Sequence, residues 1–128
     1  MSLANLIEFL SSTAYFEDVP REDIAGMAPA FEIMIVSAGT RLFEAGDLGD
    51  AWFLIIDGEV EISGQRADGS DLSFATLEAG DAFGEIALLD DDTRSARATV
   101  ASDATLARLP RAAFLGLLAD RQPGAVVM

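Results

Sequence analysis

The chain has 128 residues, of which 51% are hydrophobic, and this is enough for one domain with a core of its own. It contains no cysteine and no histidine, and its eight positive side chains are all arginine, which excludes disulfides, Ser-His-Asp and Cys-His nucleophiles, and Schiff-base lysine chemistry. The formal net charge of −14 argues against nucleic acid and anionic membrane surfaces as partners, because both need clustered lysine and arginine.

Two helical patterns open the chain, and we expect N-terminal helices over about residues 3–28. Four apolar residues recur at helical spacing in the first pattern: Leu3, Leu6, Ile7 and Leu10. A second short helix is predicted with Pro20 at its first turn and Pro29 at its end. No apolar run approaches the roughly 20 residues of a membrane span, and no secretory signal is evident, so we expect a cytoplasmic location.

From residue 30 to about residue 109 the pattern changes to short apolar runs separated by glycine-rich turns. Val60 and Ile62 alternate with Glu59 and Glu61, as in a half-buried strand. The dipeptide at 68–69, Asp-Gly, predicts the turn of a hairpin. Many short strands with regular turns are typical of an antiparallel sandwich or barrel, and we predict an eight-stranded antiparallel β-roll, or jelly roll.

Helical spacing returns at the end of the chain. Pro110 precedes a predicted helix over about residues 111–120, which Pro123 and Gly124 end. Residues 123–128 have the character of the beginning of another helix. Because no linker or low-complexity segment interrupts the chain, we predict a single domain over residues 1–128 that is mainly β with flanking helices.

One segment, FGEIALLDDDTRSA at residues 83–96, has the chemistry of a ligand site. Gly84 permits close backbone approach, and a helical turn after it would offer unpaired N–H groups to an anion. Arg94 supplies a planar guanidinium for phosphate oxygens, with a hydroxyl at Ser95. Glu85 is a strong acceptor for sugar hydroxyls. A rigid ligand that carries a phosphate beside a hydroxyl, such as a cyclic nucleotide, fits this combination.

This segment resembles the phosphate-binding cassette of cyclic nucleotide-binding domains of the catabolite-activator and protein-kinase regulatory-subunit type. The pattern of that cassette is F-G-E-x-[AS]-L, a short loop, then R-[AST]-A. The upstream run AGTRLFEAGDLGDAWFLIIDGEVEI also resembles the family, with its glycines in register, and the likeness covers about residues 14–122. The resemblance implies a β-roll with a short cassette helix.

The resemblance also implies a role for individual residues. Glu85 would accept a hydrogen bond from the ribose 2′-hydroxyl, and Arg94 would pair with the exocyclic phosphate oxygens, assisted by Ser95. Backbone N–H groups of three residues would meet the phosphate: Gly84, Ile86 and Ala87. Ile62 and Phe74 would wall the ribose and base pocket.

The function implied is that of a regulatory sensor and not of an enzyme. Ser95 in place of threonine, in a sequence of bacterial appearance, favours cAMP as the ligand, with cGMP left open, and no metal or other cofactor is expected. Binding would draw the cassette inward and move the flanking helices, to be sensed by an effector protein or domain that the sequence does not identify. The family's lid helix, which often forms a dimer interface, is represented only by residues 123–128, so a homodimer stays open.

Three alternatives compete with this interpretation. The truncated lid and the acidic run Asp90–Asp92 favour a degenerate fold that no longer binds nucleotide and acts as a protein-interaction or dimerisation module. The same acidic run could bind a metal, although a solvated loop explains it with fewer assumptions. An enzyme on a β-roll, such as a cupin, would lack the usual histidine ligands.

Several residues are expected to have structural roles only. Four aromatic residues are predicted to lie in the core: Phe43, Trp52, Phe53 and Phe83. Arg94 could instead be a surface arginine paired with an acidic neighbour. Arg97 has the opposite strand parity to Arg94, and we expect it to face outward and to balance Asp90–Asp92.

Overall fold

The computed structural model describes residues 2–44, 46–47, 50–84, 96–113 and 116. Two α-helices, α1 (Leu3–Ser12) and α2 (Arg21–Met27), are each followed by a 3₁₀ turn, Ala14–Phe16 and Ala28–Ala30. Six strands follow within the described residues: β1 (Glu32–Val36), β2 (Arg41–Phe43), β3 (Ala51–Gln65), β4 (Asp71–Glu78), β5 (Ala82–Phe83) and β6 (Arg97–Pro110). Residues 111–113 and 116 are helical, at the place of the predicted C-terminal helix.

The N-terminal helices lie where the apolar spacing predicts them. The Ser2 hydroxyl accepts a hydrogen bond from the Asn5 N–H and caps α1, whose residues Leu6 and Leu10 are buried. Pro20 immediately precedes α2, where its missing N–H costs no helical hydrogen bond. Both helices therefore bury one apolar face against the sheet.

All strand pairs are antiparallel and form one sheet in the order β1-β6-β3-β4, with β2 paired to β6 and β5 paired to β3. β3 and β6 are the centre of this sheet. They pair from Ala51 opposite Pro110 to Ser63 opposite Arg97. The long β3–β6 ladder thus runs through the whole roll, and every other strand pairs with one of these two.

The predicted count of eight separate strands is not confirmed by the described residues, in which six strands lie and two of these, β3 and β6, are 15 and 14 residues long. The register of the ladder shifts between Ile55 and Val60, around Gly58, whose φ is +94°. A Cβ at Gly58 would lie 2.6 Å from the carbonyl oxygen of Asp103, on the facing strand. The two strands therefore bend together at this corner and stay paired.

Two apolar clusters lie on opposite faces of the sheet. The outer cluster joins the helices to the sheet around Trp52, whose ring meets those of Tyr15, Phe16 and Phe31 at centroid distances of 5.7 to 6.3 Å. The inner cluster fills the roll. It is built on nine buried residues: Ala51, Phe53, Ile55, Val60, Phe83, Ala98, Val100, Ala104 and Leu106. The predicted core positions are confirmed, with Phe43 partly buried against the inner cluster.

The β3–β4 hairpin turns at Asp68-Gly69, as the sequence predicts. Gly69 has φ +87° and donates its N–H to the Arg66 carbonyl over 2.9 Å. The exposed Asp68 carboxylate accepts hydrogen bonds from the hydroxyl (2.6 Å) and the N–H (2.9 Å) of Ser70. These two bonds, the hydroxyl first, lower the pKa of Asp68 below its ordinary value.

Candidate functional site

The first residue of the FGEIALL segment, Phe83, belongs to the inner cluster. Phe83 in β5 pairs with Phe53 in β3, and their rings stack with centroids 5.1 Å apart and planes 9° from parallel. The Phe43 ring lies 6.1 Å from each of them. Gly84 follows with φ +99°, a conformation that side chains disfavour. The packing of Phe43, Phe53 and Phe83 thus fixes the position at which the FGEIALL segment begins.

A hydrogen bond ties this strand to the N-terminal region. The Ala82 N–H donates to the Tyr15 hydroxyl over 3.0 Å, and the Tyr15 ring packs edge-on against Trp52. Tyr15 lies in the 3₁₀ turn directly after α1. No local sequence pattern indicates the contact of Tyr15, because its partner is 67 residues away.

The structure brings Ile62 and Phe74, the two predicted pocket-wall residues, to neighbouring strands. Ile62 in β3 pairs with Ala75 and Ala98 and packs against the inner cluster that contains Phe83. Phe74 in β4 lies at a register shift, since Ile62 pairs with Ala75 while the next residue of β3 pairs with Ser73. Phe74 is therefore the extra residue of a β-bulge, and its side chain is 56% exposed.

The Phe74 ring lies on the same side of β3 as Ile62. A Cβ at Gly64 would come within 2.9 Å of the Phe74 Cζ atom, so the ring covers Gly64. Gly64 and Ile62 are two residues apart on one strand and face the same side. Ile62 and the Phe74 ring accordingly lie on the same side of β3.

The other predicted ligand residues lie outside the described part of the chain: Glu85, Ile86, Ala87, Arg94 and Ser95, together with the acidic run Asp90–Asp92. Their roles stay predictions from the motif. Of the cassette, the structure describes Phe83, Gly84 and residue 96.

Arg97, at the beginning of β6, lies on the strand face opposite to the buried Ala98, as its parity predicts, but its side chain is only 15% exposed. Its guanidinium lies 3.4 Å from Asp71 and 3.6 Å from Glu44. These two carboxylates are its ionic partners among the described residues. Arg97 thereby connects the beginning of β4 to the end of β2. The prediction that it also balances the acidic run concerns residues outside the described part of the chain.

Neither a metal site nor a membrane-spanning helix is found among the described residues. No group of three or more acidic side chains in these ranges is arranged to hold a metal ion. None of the helices that the structure describes is long and apolar enough to span a membrane.

The sequence profile of one family, the cyclic nucleotide-binding domain, matches residues 34–121. The chain belongs to this family. The profile covers the β-roll from β1 onward together with the FGEIALL segment and the residues after β6, and so includes every residue to which the resemblance assigned a role.

Two curated relatives illustrate where such domains occur. This cyclic nucleotide-binding domain is 34% identical over 110 residues to a cAMP-dependent protein kinase regulatory subunit of Yarrowia lipolytica, covering 86% of this chain and 28% of the relative. It is 30% identical over 109 residues to the Cyclic AMP receptor protein of Thermus thermophilus, covering 85% of this chain and 50% of the relative. The chain spans half the length of these relatives or less.

Solved structures confirm the fold. The Catabolite Activator Protein of Thermus thermophilus aligns with a TM-score of 0.76 and 32% identity over 81% of this chain and 49% of that one. The regulatory domain of Toxoplasma gondii PKA, solved with cAMP, aligns with a TM-score of 0.84 and 22% identity over 91% of this chain and 45% of that one. The predicted mainly antiparallel β-roll with flanking helices is therefore confirmed.

Proposed function

We propose that this domain is a regulatory sensor that binds a cyclic nucleotide, with cAMP as the preferred ligand and cGMP as a weaker one. One observation carries the proposal: Phe83, where the FGEIALL motif begins, belongs to the same inner cluster against which Ile62 packs. The motif and the predicted pocket wall therefore border one region of the roll. Relatives named for cAMP support the choice of ligand.

In the proposed site, different residues bind the phosphate and the ribose of the ligand. Arg94, Ser95 and the N–H groups that follow Gly84 hold the phosphate, while Glu85 accepts a hydrogen bond from the ribose. A hydrogen bond to a charged group contributes about 1.5–3 kcal/mol, and micromolar affinity needs about 8 kcal/mol. Several such contacts together reach micromolar affinity, and Arg94 alone does not.

The proposed output is a shift of the helices. Because the Ala82 N–H binds the Tyr15 hydroxyl, a movement of the cassette that begins after Phe83 is transmitted to the turn behind α1. The ligand would favour one of two pre-existing arrangements, and an effector protein or domain would bind that arrangement. We place this regulatory, non-catalytic role in a single domain over residues 1–128 in the cytoplasm, without a metal or other cofactor.

Calorimetric titration of the purified chain with cAMP and then cGMP tests the proposal. Wild type is expected to bind cAMP at micromolar concentration or tighter, and Arg94→Ala is expected to lose binding. Arg21→Ala is the matched control, because Arg21 is an exposed arginine of α2 that pairs with Glu8, and its affinity should equal that of wild type. Absence of heat with both nucleotides at millimolar concentration would refute the proposal.

A second candidate is the degenerate fold that serves as an interaction or dimerisation module. The exposed apolar side chains of β1 favour it: Ile35 is 86% exposed and Ile33 is 37% exposed, and β1 lies at one end of the strand order. A chain that binds neither nucleotide but sediments as a dimer, and becomes monomeric on Ile35→Glu, would support this candidate.

A further inference from the structure

The two ends of the strand order β1-β6-β3-β4 are built differently. β4 is interrupted by the bulge at Phe74, and it begins and ends with a charged residue, Asp71 and Glu78. β1, with the sequence EIMIV, pairs with β6 in unbroken register from Glu32 to Val36. Proteins commonly protect a sheet edge from other strands with bulges and charged side chains, and β1 has no bulge and one charged residue.

Two exposed isoleucines lie on one face of β1. Met34 and Val36 pack against the inner cluster, so Ile33 and Ile35 point to the opposite face. Ile35 is 86% exposed and lies beside Thr105 of β6. Among the described residues β1 pairs on one side only, so a strand added on its other side would give Ile35 a second neighbour.

The backbone of β1 also offers hydrogen-bonding groups on that side. A strand directs its N–H and C=O groups to both of its edges, and a neighbouring strand satisfies the groups of one edge only. Within the described part of the chain, residues 32–36 make no backbone hydrogen bond on the side away from β6. A regular apolar strand with a free edge is a template for the addition of another strand.

A second copy of the same strand fits this edge. If two β1 strands run antiparallel about a two-fold axis at Met34, Ile33 of each strand lies opposite Ile35 of the other, and each exposed isoleucine gains an apolar neighbour. The one charged residue of the strand, Glu32, already accepts a hydrogen bond from Arg108 over 2.7 Å. The two copies of Glu32 would be about 13 Å apart along the strands, beyond the Debye length of about 8 Å at physiological salt.

We propose that β1 is a docking edge for β1 of a second copy of this chain, and that the two strands pair antiparallel about a two-fold axis at Met34. This pairing joins two β-rolls into one continuous sheet. β1 contributes no residue to the proposed nucleotide site, so the inference does not rest on nucleotide binding and does not require its loss. A pairing of five residues is small for a specific interface, and we expect a dissociation constant of about 10–100 µM.

Sedimentation equilibrium of wild type over about 5–500 µM measures this association. A reversible monomer–dimer equilibrium is expected, and it should strengthen as the salt concentration rises, because salt screens the repulsion between two chains of net charge −14. Ile35→Glu should weaken the dimer about tenfold or more. Thr76→Glu is the matched control, because it adds the same charge at an exposed residue of β4, and it should associate like wild type. The fluorescence of Trp52 checks that each variant is folded.

Cysteine cross-linking tests the register, because the chain has no cysteine of its own. A disulfide needs Cα atoms within about 7 Å of each other, a condition that directly opposite residues meet and that residues offset by two positions do not. A mixture of Ile33→Cys and Ile35→Cys should therefore form a disulfide-linked dimer on mild oxidation, whereas each variant alone should form little. Thr76→Cys, at the exposed position on β4, measures cross-linking by random collision.

The outcomes separate this inference from the proposed function. A wild type that is monomeric at about 500 µM would overturn the pairing, and so would a dimer that Ile35→Glu leaves intact or that cross-links equally in every cysteine variant. Hydrogen exchange of β1 should slow as the protein concentration rises, and equal protection at all concentrations would show that other residues of the same chain cover the edge. A monomer that binds cAMP overturns only this inference, and a dimer that binds no nucleotide overturns only the proposed function.

Discussion

The shared corner of β3 and β6 leads to a quantitative stability prediction for Gly58→Ala. Gly58 has φ +94°, and a Cβ added there would lie 2.6 Å from the Asp103 carbonyl oxygen and 2.7 Å from the Ala104 Cα. Both are backbone atoms of the paired strand, so neither can rotate away. The substitution must therefore strain its own backbone and also push β6 outward.

Each of these effects has a known size. A side chain in the positive-φ region costs about 1–2 kcal/mol, and forcing an extra methyl group into a packed site costs about 1–3 kcal/mol. We expect Gly58→Ala to lower the free energy of unfolding by about 2–5 kcal/mol, a large part of the roughly 5–15 kcal/mol typical of a domain. Gly39→Ala is the matched control, because Gly39 has φ +91° but no atom within 4 Å of its added Cβ. It should lose only the first amount.

Urea denaturation followed by the fluorescence of the only tryptophan, Trp52, measures both variants under the same conditions. The informative quantity is the difference between the two losses, since the backbone strain is common to both. Equal losses for Gly58→Ala and Gly39→Ala would show that the strands separate at the corner without cost. The close approach of β3 and β6 would then have no energetic role.

Two smaller predictions concern single hydrogen bonds. Tyr15→Phe keeps the ring packed on Trp52 but removes the hydroxyl that accepts the hydrogen bond of the Ala82 N–H. Hydrogen exchange at Ala82 should therefore accelerate, and the free energy of unfolding should fall by about 1 kcal/mol or less. An unchanged exchange rate at Ala82 would contradict the contact. Ser70→Ala should raise the pKa of Asp68 towards its ordinary value, as followed by NMR titration, because the folded-state pKa is lowered chiefly by the Ser70 hydroxyl. The Asp68 carboxylate stabilises the fold at pH values above its ordinary pKa, and this stabilisation is lost as the pH falls through the lowered pKa of the folded state. If Ser70→Ala leaves the pKa of Asp68 unchanged, the Ser70 hydroxyl is not the cause of the lowered pKa.

The features that the sequence predicts well are those that depend on residues close together in the sequence. Helix α1 follows from the apolar spacing of residues 3–10, and the hairpin follows from Asp68-Gly69 between two strand patterns. The count of eight strands is not confirmed among the described residues, for a related reason. Gly58 has the same local signature as a turn glycine, and only the facing strand shows that the chain bends there without breaking its pairing.

In the candidate site, too, the sequence predicts the local features but not the contacts between distant residues. The FGEIALL motif is contiguous, so the sequence alone predicts its chemistry and its family. Three contacts join residues from different strands or from distant parts of the chain. They are the contact of the Phe74 ring with Gly64, the ion pairs of Arg97 and the hydrogen bond between Tyr15 and Ala82. No periodicity encodes such pairs, because they depend on which distant segments pack together and, for the strand residues, on a register that the sequence leaves open at a β-bulge.

The position of β6 in the sheet has a consequence for the order in which the molecule folds. β1, β2 and β3 all pair with β6, and Glu32 and Arg108, which form an ion pair across β1 and β6, are 76 residues apart in sequence. During synthesis these three strands leave the ribosome well before their common partner. Loop-closure entropy must be overcome over long separations before pairing is gained, and such topologies fold in milliseconds to seconds. A chain that stops before Arg97 would therefore expose three strands to pairing with other molecules, and we expect such a fragment to aggregate rather than form part of a sensor.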